Sequence, residues 1–172
     1  MNGFLDLSYL KTGNARQKKA FVVLKQSQLF DHLKEFTPVL AGTIPIEVDT
    51  EESDLDVICE VKNFEKFRLQ LLKLFPHNEI EEVMVNGERT IILNTVLADF
   101  KVEIFGQNIP VIQQNAYRHL LAEATVLKEK GDDFRNKVIE LKKQGIKTET
   151  AFGILLNLKN PYQELLNYTK ND

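Results

Sequence analysis

The spacing of apolar positions changes from helical to alternating and back along this chain. Residues 14–36 show helical spacing, which predicts one long helix or two short ones ending before Pro38. The apolar stripe of that region consists of Val22, Leu29, Leu33 and Phe36. Residues 37–41 form a short apolar run and predict a strand, whereas the acid-rich residues 44–53 predict an extended loop.

Residues 54–61 alternate strictly enough to predict a strand with two distinct faces. The face expected in the core carries Leu55, Val57, Cys59 and Val61. The opposite face carries Asp54, Asp56, Ile58 and Glu60. Asn63 then predicts the N-cap of a helix that Pro76 ends. Its apolar positions are Phe64, Phe67, Leu71 and Leu74.

Two further strands and a turn follow this helix. Residues 81–85 and 89–96 flank Asn86-Gly87, which predicts a β-hairpin with a type I′ turn. Residues 99–105 alternate again, and Gly106 is expected to end that strand. Its polar face carries Asp99, Lys101, Glu103 and Phe105, opposite Phe100, Val102 and Ile104.

From Pro110 onward the pattern is helical, with stops expected at Gly131 and Gly145 and a last helix beginning at Asn160-Pro161. The order of elements predicts an α/β protein of the α+β type, with a mixed sheet, helices on one of its faces and a C-terminal helical extension. We expect a core over residues 1–108 and the extension over 109–172, packed as one compact unit.

Composition excludes several classes of protein. With 172 residues, 43% hydrophobic and 27% charged, the chain is long enough to bury a core. A net charge of −3 gives no strong nucleic-acid signature. The single cysteine cannot form an internal disulfide, and no Cys/His cluster suggests zinc. Neither a signal peptide nor a membrane-length apolar run is recognisable, so we expect a cytoplasmic protein without a membrane partner.

The strongest chemical pattern is Gly42-Thr43 followed, after ten residues, by Asp54-Leu55-Asp56. In a strand, Asp54 and Asp56 share a face. Two carboxylates beside a turn with free backbone N–H groups can hold a divalent metal and a phosphate together, as phosphoryl or nucleotidyl transfer requires. The alternative is a solvent-facing strand edge with two acids, although Asp is depleted in strands.

On the later strand, the best-placed acid is Glu103, because its apolar neighbours in sequence fix its direction in mid-strand, and Asp99 on the same face is the fallback. Glu103 could instead form a salt bridge to Lys101.

On the helix after Pro110, a polar stripe is either a wall that binds base, ribose or acceptor, or a solvated helix face. The stripe consists of Asn115, His119 and Glu123, and Arg118 and Lys128 lie nearby.

Together these residues resemble the nucleotidyltransferase superfamily typified by DNA polymerase beta and the minimal bacterial nucleotidyltransferases. The family pattern begins with an apolar or small residue, Gly, and then Gly or Ser. After a gap of around ten residues it continues with Asp, an apolar residue, Asp or Glu, and another apolar residue. A third carboxylate lies on a later strand. Gly42-Thr43, Asp54-Leu55-Asp56-Val57 and Glu103 occupy these places. The longer sequence segments around these residues are also similar to an uncharacterised bacterial family, which is assigned to the superfamily by similarity alone.

The resemblance implies transfer of a nucleoside monophosphate from a nucleoside triphosphate to an acceptor, which could be a small molecule, a protein or RNA. It implies Mg²⁺ or Mn²⁺ as the cofactor, with Asp54, Asp56 and Glu103 as metal ligands and catalytic residues. Nucleotide contacts would come from Gly42, Thr43 and Ser53. Residues that could line the substrate site are Lys101, Asn115, Arg118 and His119.

Two alternatives to an enzyme stay open. The chain could be a degenerate nucleotidyltransferase that binds a nucleotide or a protein, or it could act on a partner protein as an antitoxin-like member. Thr43 stands where the family has Gly or Ser, and Pro45 follows where a short helix presents its N-terminus to phosphates. Both departures favour a degenerate binder, whereas retention of all three acids argues against it.

Overall fold

A five-stranded mixed sheet with helices forms the fold of this protein, seen in a computed structural model that describes residues 3–168. The predicted α/β class is therefore confirmed. The strands are β1 (Val39–Ala41), β2 (Leu55–Glu60), β3 (Ile80–Val85), β4 (Glu88–Leu97) and β5 (Phe100–Gln107). The α-helices are α1 (Ala15–Gln26), α2 (Leu29–His32), α3 (Phe64–Leu74), α4 (Asn115–Lys143), α5 (Thr148–Leu156) and α6 (Pro161–Tyr168).

Contacts divide the chain into two compact units. The first comprises the residues up to Ala41 together with Asp54–Gln114, and it contains the whole sheet. The second comprises Gly42–Ser53 together with the chain from Asn115 onward. The expected division at residue 108 stays a prediction, but the loop before β2 groups with the C-terminal helices rather than with the sheet. None of the helices within residues 3–168 combines the length and apolar character that crossing a membrane requires.

The sheet of the first unit has the strand order β1-β2-β5-β4-β3. Strands β2 and β5 run parallel, while the other neighbouring pairs are antiparallel. The parallel pair needs a long crossover, and the chain between β2 and β5 supplies it with α3 and the hairpin β3–β4. This crossover brings two strands that are distant in sequence to the centre of the sheet.

One face of the sheet is the hydrophobic core of the first unit. The side chains predicted for the core are buried, namely Leu55, Val57, Cys59, Phe100, Val102 and Ile104. Burial alternates along both central strands except at Ile58 of β2 and Gln107 of β5, which are buried as well. Helix α1 covers this face through Arg16, whose guanidinium carbon lies 4.9 Å from the centroid of the Phe100 ring. Helix α3 covers it through Phe67, which is fully buried. The polar side chains of β2 and β5 consequently point to the opposite face.

Gly106 lies inside β5, so the expectation that it ends the strand is wrong. A Cβ atom at this position would lie 2.4 Å from Cε1 of Phe67 and 2.7 Å from Cγ2 of Val61. Glycine is needed here because α3 packs directly on the strand backbone, not because the chain turns.

We therefore expect Gly106→Ala to lower the free energy of unfolding by about 1–3 kcal/mol, the usual cost of overpacking a core. Urea denaturation followed by circular dichroism measures the change. Gly3→Ala is the matched control, because a Cβ atom there has no neighbour within 4 Å. Equal stability of the two variants would contradict the close packing of α3 on β5.

Helical residues before the sheet form two short helices, one of the two alternatives predicted. Asn14 caps α1 with a reciprocal capping box to Gln17, and Gln28 adopts φ 53°, which separates α1 from α2. The predicted stripe is wrong at its first position, because Val22 is 48% exposed and α1 buries Ala20, Val23 and Leu24 instead. The break at Gln28 shifts the helical phase, so spacing counted across it does not follow one face.

The predicted α3 cap and hairpin turn are both present. Asn63 Oδ1 accepts a hydrogen bond of 2.9 Å from the backbone N–H of Lys66, as an N-cap does. Asn86 and Gly87 have φ of 52° and 83°, and a type I′ turn requires positive φ at both positions.

In the second unit, the three C-terminal helices pack on one another. Gly131, with φ 76° and ψ −169°, has a non-helical backbone and breaks α4 into two helical segments, so the stop expected there is confirmed. Gly145 ends the second segment, since the N–H of Ile146 donates to the carbonyl of Leu141 across a residue with positive φ. Pro161 occupies the first position of α6, as predicted.

The segment 42–53 is more compact than the extended loop that the sequence predicts. Ile44–Ile46 forms a 3₁₀ turn in which all three side chains are buried, and this turn packs against α4. The carbonyl of Thr43 accepts hydrogen bonds from the N–H groups of Ile46 and Val48 at 3.3 and 3.2 Å. The fixed φ of Pro45 suits the first turn of such a helix, so proline supports the turn here.

Candidate active site

Two of the predicted acids face each other across the central parallel strands. Asp56 of β2 is the register partner of Glu103 of β5. Neighbouring strands lie about 4.8 Å apart, and paired residues point to the same face of a sheet. Asp54 comes directly before β2, two residues from Asp56, and is half-buried like the other two. The sheet thus brings the three acids to the face opposite α1 and α3.

The electrostatics of Glu103 reflect this crowding of carboxylates. Its pKa is raised above the ordinary value, first by burial and then by the negative charges of Asp54 and Glu81. A carboxylate whose pKa is raised by like charges gains most from a nearby cation. The donor set is therefore all oxygen, anionic and mutually repulsive, which fits a hard divalent cation such as Mg²⁺.

Glu81 is a member of this acidic surface that the sequence interpretation did not single out. It pairs with Ile92 of β4, which in turn pairs with Phe105 of β5, two residues from Glu103 and on the same face. The hairpin itself was recognisable in the sequence. Its position beside β5, which gives Glu81 its influence on Glu103, depends on the strand order.

Asp99, the fallback for the third acid, is engaged elsewhere. Its carboxylate forms a salt bridge with the Lys19 ammonium group at 2.5 Å, and 75% of its side chain is exposed. Burial and the charge of Asp54 act instead on Glu103, so Glu103 is the better candidate. Lys101 is exposed on the same face of β5 as Glu103.

The predicted nucleotide-binding residues form a hydrogen-bonded loop within the second unit. Gly42 has φ 72°, a conformation that favours glycine. The hydroxyl of Thr43 donates to Oγ of Ser53 at 3.3 Å, and the N–H of Thr50 donates to the same oxygen at 2.9 Å. The hydroxyls of Thr43 and Ser53 thus stabilise the loop locally, as Ser and Thr often do in turns. Their contact with a nucleotide stays a prediction.

The expected substrate wall on α4 divides into exposed and buried parts. Asn115 is exposed and accepts a hydrogen bond of 3.3 Å from Nη1 of Arg118. His119 and Glu123 are only 8% and 4% exposed, so a solvated helix face is the wrong description for them. Spacing alone did not reveal their burial, because it comes from α5 and α6 packing against α4.

Two solved structures with a similar fold are described as RNA terminal uridylyl or U-transferases. The Cid1 RNA terminal uridylyl transferase matches with a TM-score of 0.54 and 16% identity over 76% of this chain and 41% of its own. A cytoplasmic RNA terminal U-transferase matches with a TM-score of 0.53 and 16% identity over 75% of this chain and 41% of its own. The chain therefore spans about two fifths of the structures it matches, and at this identity the likeness concerns the fold, which is the nucleotidyltransferase fold.

Within that fold class, the chain belongs to the family described as a domain of unknown function, DUF4269, whose profile matches residues 22–168. A search among curated proteins finds no match.

Proposed function

We propose that this protein is a metal-dependent nucleotidyltransferase, which transfers a nucleoside monophosphate from a nucleoside triphosphate to an acceptor. The observation that carries the proposal is the pairing of Asp56 with Glu103 in adjacent parallel strands, with Asp54 close enough to raise the pKa of Glu103. A sheet face with three converging acids, on a nucleotidyltransferase fold, is suited to magnesium and triphosphate chemistry.

Each acid has a proposed role. Asp54, Asp56 and Glu103 would hold Mg²⁺ or Mn²⁺ through their carboxylate oxygens. When bound, such ions polarise phosphoryl oxygens and neutralise charge on the leaving pyrophosphate. Without a cation the three carboxylates repel one another, so this repulsion favours the binding of a positively charged ion. The raised pKa of Glu103 also suits it to accept a proton from the acceptor hydroxyl.

The nucleotide and acceptor contacts complete the proposal. Gly42, Thr43 and Ser53 keep the nucleotide-binding role that the family resemblance implies. The Cid1 poly(U) polymerase has been solved with MgGTP bound, which supports a magnesium nucleotide as the ligand here. The acceptor is a small molecule, a protein or RNA. Of the residues expected to line the substrate site, Lys101, Asn115 and Arg118 keep that proposed role, whereas His119 is only 8% exposed and loses it.

Transfer of labelled nucleotide tests this proposal. Each of the four nucleoside triphosphates, labelled at the α-phosphate, is incubated with the protein, Mg²⁺ or Mn²⁺, and separate pools of RNA, protein and small-molecule acceptors. We expect metal-dependent labelling of one pool, with release of pyrophosphate. Binding of triphosphate without labelling of any pool would contradict the enzyme and favour a degenerate binder.

A degenerate binder is the second candidate, because the hydroxyls of Thr43 and Ser53 already take part in hydrogen bonds within the loop. Such a protein would bind a nucleotide or a partner protein, as an antitoxin-like member would, without transferring anything. Magnesium and triphosphate would then raise its melting temperature by mass action while pyrophosphate release stays at the background rate.

A further inference from the structure

A second cluster of possible metal ligands lies among the helices of the second unit. His119 and Glu123 are one helical turn apart on α4, and Glu149 lies in the first turn of α5. A ring nitrogen of His119 and one carboxylate oxygen from each glutamate all lie within 4.8 Å of one another. None of these groups belongs to the three acids on the sheet.

Burial makes this cluster unlike an ordinary surface group of acids. His119 and Glu123 are more than nine-tenths buried, and Glu149 is half-buried. Within residues 3–168, the buried Nδ1 atom of His119 has no hydrogen-bond partner. Buried polar atoms nearly always have a partner, so an imidazole nitrogen without one, on a ring that has a nitrogen within 4.8 Å of two carboxylate oxygens, points to a ligand.

Tyr162 of α6 supports both ends of the cluster. Its hydroxyl is hydrogen-bonded to Glu149, and its ring meets the His119 ring edge-on, with centroids 6.0 Å apart and planes at 82°. Metal-binding carboxylates and imidazoles are usually oriented by such neighbours. Three helices thus combine to fix the positions of His119 and Glu149.

Burial favours the neutral forms of both His119 and Glu123, of which only the imidazole can bind a metal without losing a proton. Burial lowers the pKa of His119. The negative charge of Glu149 opposes this lowering and the positive charge of Arg118 reinforces it, so the neutral imidazole is favoured. Burial raises the pKa of Glu123 strongly, and the charge of Glu149 raises it further against the opposing effect of Lys142. Once Glu123 releases its proton, two neighbouring carboxylates and a neutral imidazole would be available to a divalent cation.

We propose that His119, Glu123 and Glu149 bind one divalent transition-metal ion, with Zn²⁺ as the preferred ion. Mixed imidazole and carboxylate ligands favour a transition metal over Mg²⁺. Tetrahedral Zn²⁺ ligands at about 2.0–2.2 Å from the ion lie about 3.4 Å from one another, so the ligand atoms must draw together by at most about 1.4 Å. Three protein ligands leave a fourth position for water or another ligand.

A zinc titration of the full chain against a chromophoric indicator tests the site independently of the proposed function. We expect one Zn²⁺ per wild-type chain. Glu149→Gln should weaken binding more than about 100-fold, since it removes a direct ligand, and Tyr162→Phe about 10-fold through lost orientation. Glu140→Gln, an exposed acid on the same helix α4, is the matched control and should bind as the wild type does.

Cobalt supplies a second readout that does not depend on stability. Co²⁺ in the wild-type chain should give the visible absorption of a low-coordinate site, and Glu149→Gln should lose it. The proposal is overturned if wild type binds no Zn²⁺ at micromolar concentrations, or if Glu149→Gln binds it as tightly as wild type. In that case the cluster is an internal network in which Glu123 keeps its proton. A wild-type chain that binds zinc but transfers no nucleotide would refute only the proposed function.

Discussion

Replacing Asp56 by asparagine should abolish nucleotide transfer while leaving the protein folded. Asparagine keeps the shape of the side chain but removes the charge opposite Glu103. Removing a residue that only hydrogen-bonds to a metal ligand typically lowers metal affinity or activity by about 10–100-fold. Removing a direct ligand should therefore lower the transfer rate by more than about 100-fold. Pyrophosphate release and labelling of the acceptor measure the effect.

The same variant should lose most of its stabilisation by magnesium and triphosphate. At 100 times the dissociation constant, a ligand of the folded state stabilises it by about 2.7 kcal/mol, and this gain disappears when the metal is no longer held. Asp99→Asn is the matched control, since Asp99 is an exposed acid paired with Lys19. A melting-temperature shift that is the same in wild type and Asp56→Asn would show that the metal binds elsewhere.

Glu103→Gln should separate binding from transfer. Asp54 and Asp56 remain to hold the metal that accompanies the triphosphate, so we expect triphosphate affinity within about tenfold of wild type, or roughly 1.4 kcal/mol. Transfer should fall to background, because the third negative charge and the proton acceptor are both lost. Isothermal titration gives the affinity, and labelling gives the rate. A variant that transfers at the wild-type rate would remove Glu103 from the site.

Without metal, Glu103→Gln should also change how stability depends on pH. The pKa of Glu103 is raised in the folded state by burial, Asp54 and Glu81, so folding favours its protonated form. Its ionisation therefore destabilises the folded apoprotein as the pH rises above the unfolded value of about 4.3. The variant should gain stability relative to wild type at neutral pH and lose that gain below pH 4. Urea denaturation across this range in EDTA measures the difference.

How far the sequence predicts the site depends on whether contacts are local. Alternation over 54–61 and 99–105 correctly assigned the faces of β2 and β5, because strand periodicity is a local property. The pairing of Asp56 with Glu103 requires β5 to lie beside β2, and this follows from the crossover through α3 and the hairpin. The resemblance to a known family supplied that connection, and spacing alone could not have done so.

Predictions that failed concern packing between elements. Gly106 looked like a strand end because glycine often marks turns, yet it lies where Phe67 meets the sheet. Glu123 looked like part of a polar stripe, yet α5 and α6 bury it. A sequence pattern shows which residues share a face of one helix, but not whether other helices cover a polar face.

Anomalous diffraction from crystals grown with Mn²⁺ and a non-hydrolysable nucleoside triphosphate tests the central claim most directly. The account predicts a manganese peak between the carboxylates of Asp54, Asp56 and Glu103, with the triphosphate oxygens on the same ion. Replacement by Mg²⁺ should give metal–oxygen distances of about 2.0–2.1 Å. A peak away from these carboxylates, or nucleotide bound with Glu103 directed away from the metal, would contradict it.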